Sequence, residues 1–139
     1  MVDFDVAVAQ WAEKAKGKLN QFAAEFCQDI SDEVITKTPV DTGYLRASWW
    51  ASINAPGSGT VAGPKPQGGV SQAAIVAGTM KAGEVYYLMN GAAYARRIEY
   101  GFVGEDSLGR VYNQQPRAMV RNAVARAPVI AEAVIARLK

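Results

Sequence analysis

DFDVAVAQWAEKAKGKLNQFAAEFCQDISDEVITKT, residues 3–38, is the stretch that decides the fold of this chain. Its apolar residues recur at steps of three and four, which is the spacing of one face of an amphipathic helix. The members of that face are Phe4, Val8, Trp11, Ala15, Leu19, Phe22, Phe26, Ile30 and Val34. Pro39 ends the helix, because proline disfavours helical geometry at the residue before it. A helix of about 35 residues measures about 50 Å, so we expect one end to pack on something outside the domain.

A turn and a strand follow the helix. Asp41, Thr42 and Gly43 are turn-forming residues, and Gly43 is free to take a positive φ. Residues 44–54 alternate between an apolar and a polar face, which predicts a strand. Trp50 stands on the polar face, where we expect either the long helix or a neighbouring subunit to cover it.

The remainder of the chain predicts short elements joined by loops. Residues 55–69 hold three prolines and five glycines, which predicts a flexible loop, either an inconsequential insertion or an arm that reaches a partner. Strands are predicted over 71–79 and 85–90, a short helix over 92–100, and a final helix over 117–138.

Three residues mark the boundaries of these later elements. Gly101 is placed to cap the short helix at its C-terminus. A small hairpin is predicted to end near Tyr112, and Pro128 should split the final helix near Arg126. The pattern predicts an α+β fold for a single domain, 1–139, with a long N-terminal helix and a C-terminal helix on a small antiparallel sheet.

Composition excludes several classes of chemistry. The chain of 139 residues contains no histidine and a single cysteine. Zinc sites of the usual kind, Ser-His and Cys-His nucleophile pairs, and an internal disulfide are therefore excluded. No segment reaches the ~20 apolar residues of a membrane helix. We therefore expect a soluble, non-enzymatic protein made inside the cell, with no cofactor, no metal and no membrane partner.

Charge is divided unevenly along the chain. Residues 1–70 carry 8 acidic and 6 basic side chains, and residues 71–139 carry 5 acidic and 9 basic ones. This layout suits head-to-tail contacts between copies, a basic ligand surface, or two solvated faces with no partner. Arg117 and Arg121 lie four residues apart near Arg110. That row is consistent with a nucleic-acid-binding module, although it lacks interleaved aromatic side chains. It fits a face that forms salt bridges between subunits at least as well.

Asp41-Thr42-Gly43 offers the sharpest enzymatic alternative. The same tripeptide marks the catalytic loop of aspartic proteases, where two carboxylates share one proton. Retroviral proteases supply one copy per subunit, but in an all-β chain. Here a long helix precedes the tripeptide, and the bulky Tyr44 follows it. A structural turn therefore fits these residues better than a catalytic one.

Three ordered landmarks resemble a known family. They are TPVDTGYLRASW at 38–49, Asn90 followed by YARRIEYG at 94–101, and QPRAMVR at 115–121. The arrangement is similar to the tail-completion, or head–tail joining, proteins of long-tailed double-stranded DNA bacteriophages. The resemblance covers the chain from about residue 10 to its end. The loop at 55–69 and the Glu105-Asp106 turn depart from the simplest family pattern.

The resemblance implies a structural virion protein assembled in the bacterial host cytoplasm. It implies a homo-oligomeric ring of six or twelve copies at the head-proximal end of the tail, with neighbouring neck proteins as partners. Genomic DNA would pass through the channel without sequence specificity. The related tail terminator ring proteins are the alternative within the neck. The residues predicted to contact other subunits, neck partners or DNA are Tyr44, Arg46, Trp50, Arg96, Arg97, Arg117 and Arg121.

Overall fold

A computed structural model describes residues 3–40, 43–57 and 68–139. Asp41, Thr42 and most of the predicted loop at 55–69 lie outside the described residues. The described elements are, in chain order, α1 (Phe4–Thr36), α2 (Tyr44–Ala47), β1 (Trp49–Ile53), α3 (Val70–Ala77), β2 (Tyr86–Asn90), α4 (Ala95–Tyr100), β3 (Phe102–Glu105), β4 (Val111–Gln114), α5 (Met119–Ala125) and α6 (Ala127–Leu138). The predicted α+β class is confirmed, with a long helix at the N-terminal end and a helix at the C-terminal end.

Helix α1 confirms the predicted long helix, but the predicted apolar face is not the face that meets the core. Ser31 is buried and lies nine residues, or about 2.5 turns, after Phe22, so these two residues point to opposite sides of α1. Phe4 lies about five turns before Phe22 and shares its side. Each later step of four residues overshoots a full turn by about 40°. The apolar line therefore winds round the helix, so that Ile30 packs against the main core cluster and Val34 is buried in it.

The predicted strand at 44–54 is half wrong, because its first part is the helical turn α2. Gly43 has φ 84, a left-handed conformation that suits glycine, and it starts that turn. The strand β1 begins only at Trp49 and pairs antiparallel with β2, Trp49 opposite Asn90 and Ile53 opposite Tyr86. The predicted strand at 85–90 is thus confirmed as β2.

The predicted strand at 71–79 is wrong, since these residues belong to helix α3. A short apolar run has no periodicity that separates a strand from a buried helix. Ala73 and Ala77, four residues apart, are both buried. The Gln72 side chain occupies the edge where a third strand was expected. Its Nε2 donates to the Ala51 carbonyl at 2.9 Å, and its Oε1 accepts from the Ala51 amide at 2.7 Å.

The C-terminal third follows the prediction closely. The short helix is α4, and Gly101 ends it with φ 79. A Cβ on Gly101 would lie 2.7 Å from the Gln114 carbonyl oxygen, so only glycine fits there. The predicted hairpin consists of β3 and β4. The predicted final helix is divided at Arg126 into α5 and α6, with Pro128 in the first turn of α6.

The described part of the chain contains two separate two-stranded sheets instead of one small sheet. The main core cluster is formed by Val34, Ile35, Trp49, Ala51, Ala73, Met119 and Ala123. These residues come from α1, β1, α3 and α5. Helix α3 packs on both α1 and β1, while α6 packs along the C-terminal half of α1. The sheet β1–β2 is thereby covered on the face that carries Trp49 and Ala51.

Cys27 lies in a second, smaller core cluster with Ala77 and Met80. Burial raises the pKa of its thiol from 9.0 to about 11. Because the thiolate is the reactive form, we expect alkylation of the folded protein at pH 8 to be at least ~100-fold slower than that of an exposed cysteine. Mass spectrometry after iodoacetamide treatment, with and without urea, measures this. Rapid labelling of the folded chain would contradict this position of Cys27.

Candidate interaction surface

Four of the predicted arginines gather round α4 and the start of α5. We call Arg96, Arg97, Arg117 and Arg121 the arginine cluster. The guanidinium carbons of Arg96 and Arg121 lie 6.0 and 4.7 Å from the centroid of the Tyr100 ring. That of Arg97 lies 3.9 Å from the Phe102 centroid. Sequence reasoning missed the two aromatic rings, which hold three exposed cations in place by cation–π contacts.

Glu99 is the buried acid beneath this cluster. Its two carboxylate oxygens accept the backbone amides of Val120 at 3.0 Å and Arg121 at 2.9 Å. These amides belong to the first turn of α5, whose N–H groups have no partner within the helix. Arg121 also donates to the Glu99 backbone carbonyl at 2.6 Å, and its Nε lies 3.4 Å from Oε1. Glu99 therefore caps α5 and orients Arg121 at the same time.

Helix α4 and the start of α5 are also joined by their backbones. The amide of Arg117 donates to the Ile98 carbonyl at 2.8 Å, and that of Ala118 donates to the Glu99 carbonyl at 3.1 Å. Ala118 takes φ 48, ψ 45, a left-handed conformation that is costly for a residue with a Cβ. The surrounding contacts hold this conformation and set the direction of α5. The backbone of Arg117 is thereby placed beside α4, which carries Arg96 and Arg97.

The three segments that carry the family resemblance meet in space. The Tyr44 and Tyr94 rings lie 6.4 Å apart, and the Asn90 side chain donates to the Leu45 carbonyl at 2.9 Å. The Arg117–Ile98 bond joins the third segment to the second, and Met119 shares the main core cluster with Trp49. A cleft of about 280 Å³ between the first two segments is lined by Pro39, Val40, Gly43, Tyr44, Leu45, Tyr94 and Ile98.

The other predicted interface residues have different positions. Arg46 donates to the carbonyls of Thr36 and Thr38 at 2.8 and 2.9 Å, where it closes the C-terminal end of α1. Trp50 lies on the face of β1 opposite Trp49, so α1 does not cover it. A Cβ on Gly57 would lie 3.3 Å from the Trp50 ring, so the chain beyond β1 covers part of Trp50.

The β3–β4 hairpin projects beside the arginine cluster. Phe102 and Tyr112 pack on its half-buried face at 5.8 Å between ring centroids. Asp106 organises the turn by accepting from the amides of Leu108 and Arg110 and from the Arg110 guanidinium at 2.6 Å. These bonds, first that from the Arg110 amide, lower the pKa of Asp106. Arg110 is therefore engaged within the hairpin and does not extend the arginine cluster.

An acidic groove lies on another part of the surface, between α1 and the α5–α6 helices. Its cavity of about 340 Å³ is lined by Asp29, Asp32, Glu33, Thr36, Arg126, Val129, Ile130 and Ala133. Burial, and then the charge of Asp29, raise the pKa of Asp32. Arg126 Nε contacts Glu33 at 3.0 Å, and Arg137 contacts Asp29 at 2.9 Å. These ion pairs join the two terminal helices.

Asp41, the residue of the protease alternative, lies outside the described ranges. Within residues 3–40, 43–57 and 68–139, no group of three or more acidic, cysteine or histidine side chains could hold a metal. Among the helices described there, none is long and apolar enough to cross a bilayer.

Comparisons of the chain with protein-family models, with curated proteins and with solved structures give no match.

Proposed function

We propose that this chain is a non-catalytic structural protein of a tailed bacteriophage. In this proposal it forms a ring at the head-proximal end of the tail, completes the tail and joins it to the neck. The observation that carries the proposal is the convergence of the three resembling segments. Stretches separated by tens of residues in the sequence form one packed unit through Tyr44–Tyr94, Asn90–Leu45 and Arg117–Ile98.

The charge distribution supports a ring through which DNA passes. Arg96, Arg97, Arg117 and Arg121 are all exposed, and among the described salt bridges only that between Arg121 and Glu99 involves one of them. Such a surface attracts phosphate through charge alone, without reading bases. The acidic groove beside α1 is a second surface of different composition on another part of the molecule. Two different surfaces suit heterologous contacts, which close into rings.

Disrupting the gene in the phage that carries it tests this function. We expect lysates with filled heads and separate tails in electron micrographs, because a joining protein acts after both are built. Restoring the wild-type gene on a plasmid should restore joined virions. Normal, infectious virions from the disrupted phage would contradict the proposal.

Charge reversal tests the arginine cluster within that function. Arg117→Glu combined with Arg121→Glu should abolish head–tail joining or ring assembly, because it reverses two exposed charges on one surface. Lys81→Glu with Lys139→Glu makes the same change in net charge at other exposed positions and should leave both intact. Circular dichroism establishes that the variants are folded. If the double arginine variant still assembles and joins heads to tails, the arginine cluster has no role in the neck.

A further inference from the structure

Helix α1 presents an apolar line that faces away from its own domain. We call Phe4, Val8, Trp11, Leu19 and Phe22 the outward stripe. At 3.6 residues per turn, these five side chains fall within about 80° of one another. Phe4 is 78% exposed, Trp11 71% and Leu19 58%. Phe22 stacks on Phe26 at 5.7 Å, which extends the stripe toward the domain.

The half of α1 that carries most of this stripe projects from the domain. Asn20 is bonded to the Ala82 amide at 3.0 Å, and Ala23 packs against the Cys27 cluster. The sixteen residues from Phe4 to Leu19 extend about 24 Å. Fifteen of these sixteen residues are exposed, Ala15 being half-buried. A helix of this length is marginal in water without packing of an apolar face, so a cover for the stripe is expected.

The hairpin presents a second apolar surface on a different part of the molecule. Its outward face carries Val103, Glu105, Val111 and Asn113, because residues alternate between faces along each strand. Val103 and Val111 are both more than 70% exposed, as is Leu108 at the turn. We call Val103, Leu108 and Val111 the hairpin patch. A two-stranded hairpin is itself marginal unless another element packs on it.

We propose that the outward stripe of one copy packs on the hairpin patch of the next copy. The proposal deepens the ring function proposed above and rests on it. A helix laid across a hairpin is the ordinary way in which a stripe and a sheet face bury each other. The two surfaces differ, so each copy uses its helix toward one neighbour and its hairpin toward the other. Contacts of that kind run head to tail and close into a ring.

Charge favours this pairing over parallel pairing of the stripe with itself. Lys14, Lys16 and Lys18 lie along the projecting part of α1, and Glu105 stands between the valines of the hairpin face. Among the described salt bridges, none involves these four side chains. An α1 helix on the hairpin of another copy brings Lys14 and Lys18, which flank one side of the stripe, to Glu105. Parallel pairing of the stripe with itself would instead place Lys18 against Lys18.

The exposed apolar area of the outward stripe also agrees with an interface between copies. Phe4 and Trp11 alone expose on the order of 300 Å², given their exposed fractions of 78% and 71%. A monomer rarely exposes a contiguous apolar patch larger than about 300–600 Å². A stable interface buries about 800 Å² on each partner. The full stripe with its flanking lysine stems approaches that size, whereas a single exposed aromatic would not.

Two variants, each lacking one surface, test the pairing. The stripe variant is Trp11→Glu with Leu19→Glu, and the hairpin variant is Val103→Glu with Val111→Glu. Light scattering after size exclusion should give an oligomer for the wild-type chain and a monomer for each variant alone. An equimolar mixture should give a one-to-one dimer and nothing larger, because only one intact contact remains. Gln10→Glu with Gln21→Glu, at exposed positions beside the stripe, should keep the wild-type mass.

Other results overturn either the pairing or the neck function. A hairpin variant that associates alone would mean that the stripe binds itself or another surface. A monomeric wild-type chain, or a mixture without a dimer, would mean that no such contact exists. Rings that assemble from both variants and still join heads to tails would refute the pairing while keeping the neck function. A one-to-one dimer, in a protein whose gene is dispensable for head–tail joining, would support the pairing and refute the neck function.

Discussion

Trp49→Ala should lower the free energy of unfolding by about 4 kcal/mol, the range measured for removing a buried tryptophan. The Trp49 ring packs among Val34, Ile35 and Met119 at the centre of the main core cluster. Its indole Nε1 donates to the Thr38 hydroxyl at 2.8 Å, and that hydroxyl donates to the Val34 carbonyl at 2.9 Å. The substitution therefore leaves a cavity and removes the support of the α1 C-terminus.

Urea denaturation followed by circular dichroism measures this loss. Trp50→Ala is the matched control, because Trp50 is the adjacent residue on the opposite, half-buried face of β1. We expect it to cost less than half as much. Trp49→Phe should fall between the two, since it keeps most of the ring but leaves the Thr38 hydroxyl without its donor. Equal losses for Trp49→Ala and Trp50→Ala would contradict this description of the core.

Glu99→Ala is expected to lower the free energy of unfolding by about 2–3 kcal/mol and to disorganise the arginine cluster. The change leaves the Val120 and Arg121 amides without acceptors at the start of α5, which costs about 1–2 kcal/mol for a lost cap. The Glu99 carboxylate is buried, but the Arg121 side chain is 50% exposed. The ion pair itself therefore adds less than a fully buried pair would.

Glu99→Gln removes the negative charge of the side chain but keeps an oxygen that can cap α5. The amide oxygen can still accept one of the two backbone amides, so we expect about half of the loss. Glu105→Ala removes an exposed acid of the nearby hairpin and should change stability by no more than about 0.5 kcal/mol. Thermal unfolding of the three variants and of the wild-type chain gives the order of their stabilities. A Glu99→Ala variant as stable as Glu105→Ala would show that the cap is not formed.

The periodicity of apolar residues, together with proline and glycine positions, predicted the parts of the fold that depend on local chemistry. The extent of α1, the division of the last helix by Pro128 and the cap at Gly101 follow from backbone restrictions on single residues. Helix α3 was missed because its small apolar residues suit a strand equally well. Only the long-range bonds between Gln72 and Ala51 reveal why no third strand forms there.

Parts of the interaction surface were also missed, because they too depend on contacts between residues that are far apart in the sequence. Sequence spacing identified Arg117 and Arg121, but it could not show that Glu99 of α4 caps α5 and bonds to Arg121. The apolar line on α1 was identified correctly, yet its direction was not. That direction depends on which side of the helix α3 and α5 occupy, and such packing is a tertiary property. The sequence did indicate this direction, because Asn20, Ala24 and Ser31 form a second line of smaller residues on the side of α1 opposite the apolar line.

Negative-stain electron microscopy of the purified full chain, with its mass measured in solution, tests whether the protein forms a ring. We expect closed rings of six or twelve copies with a central channel, the numbers that the resemblance to phage neck proteins implies. The stripe variant imaged alongside should give no rings. A wild-type chain that remains monomeric at the concentrations used for imaging would refute the proposed ring.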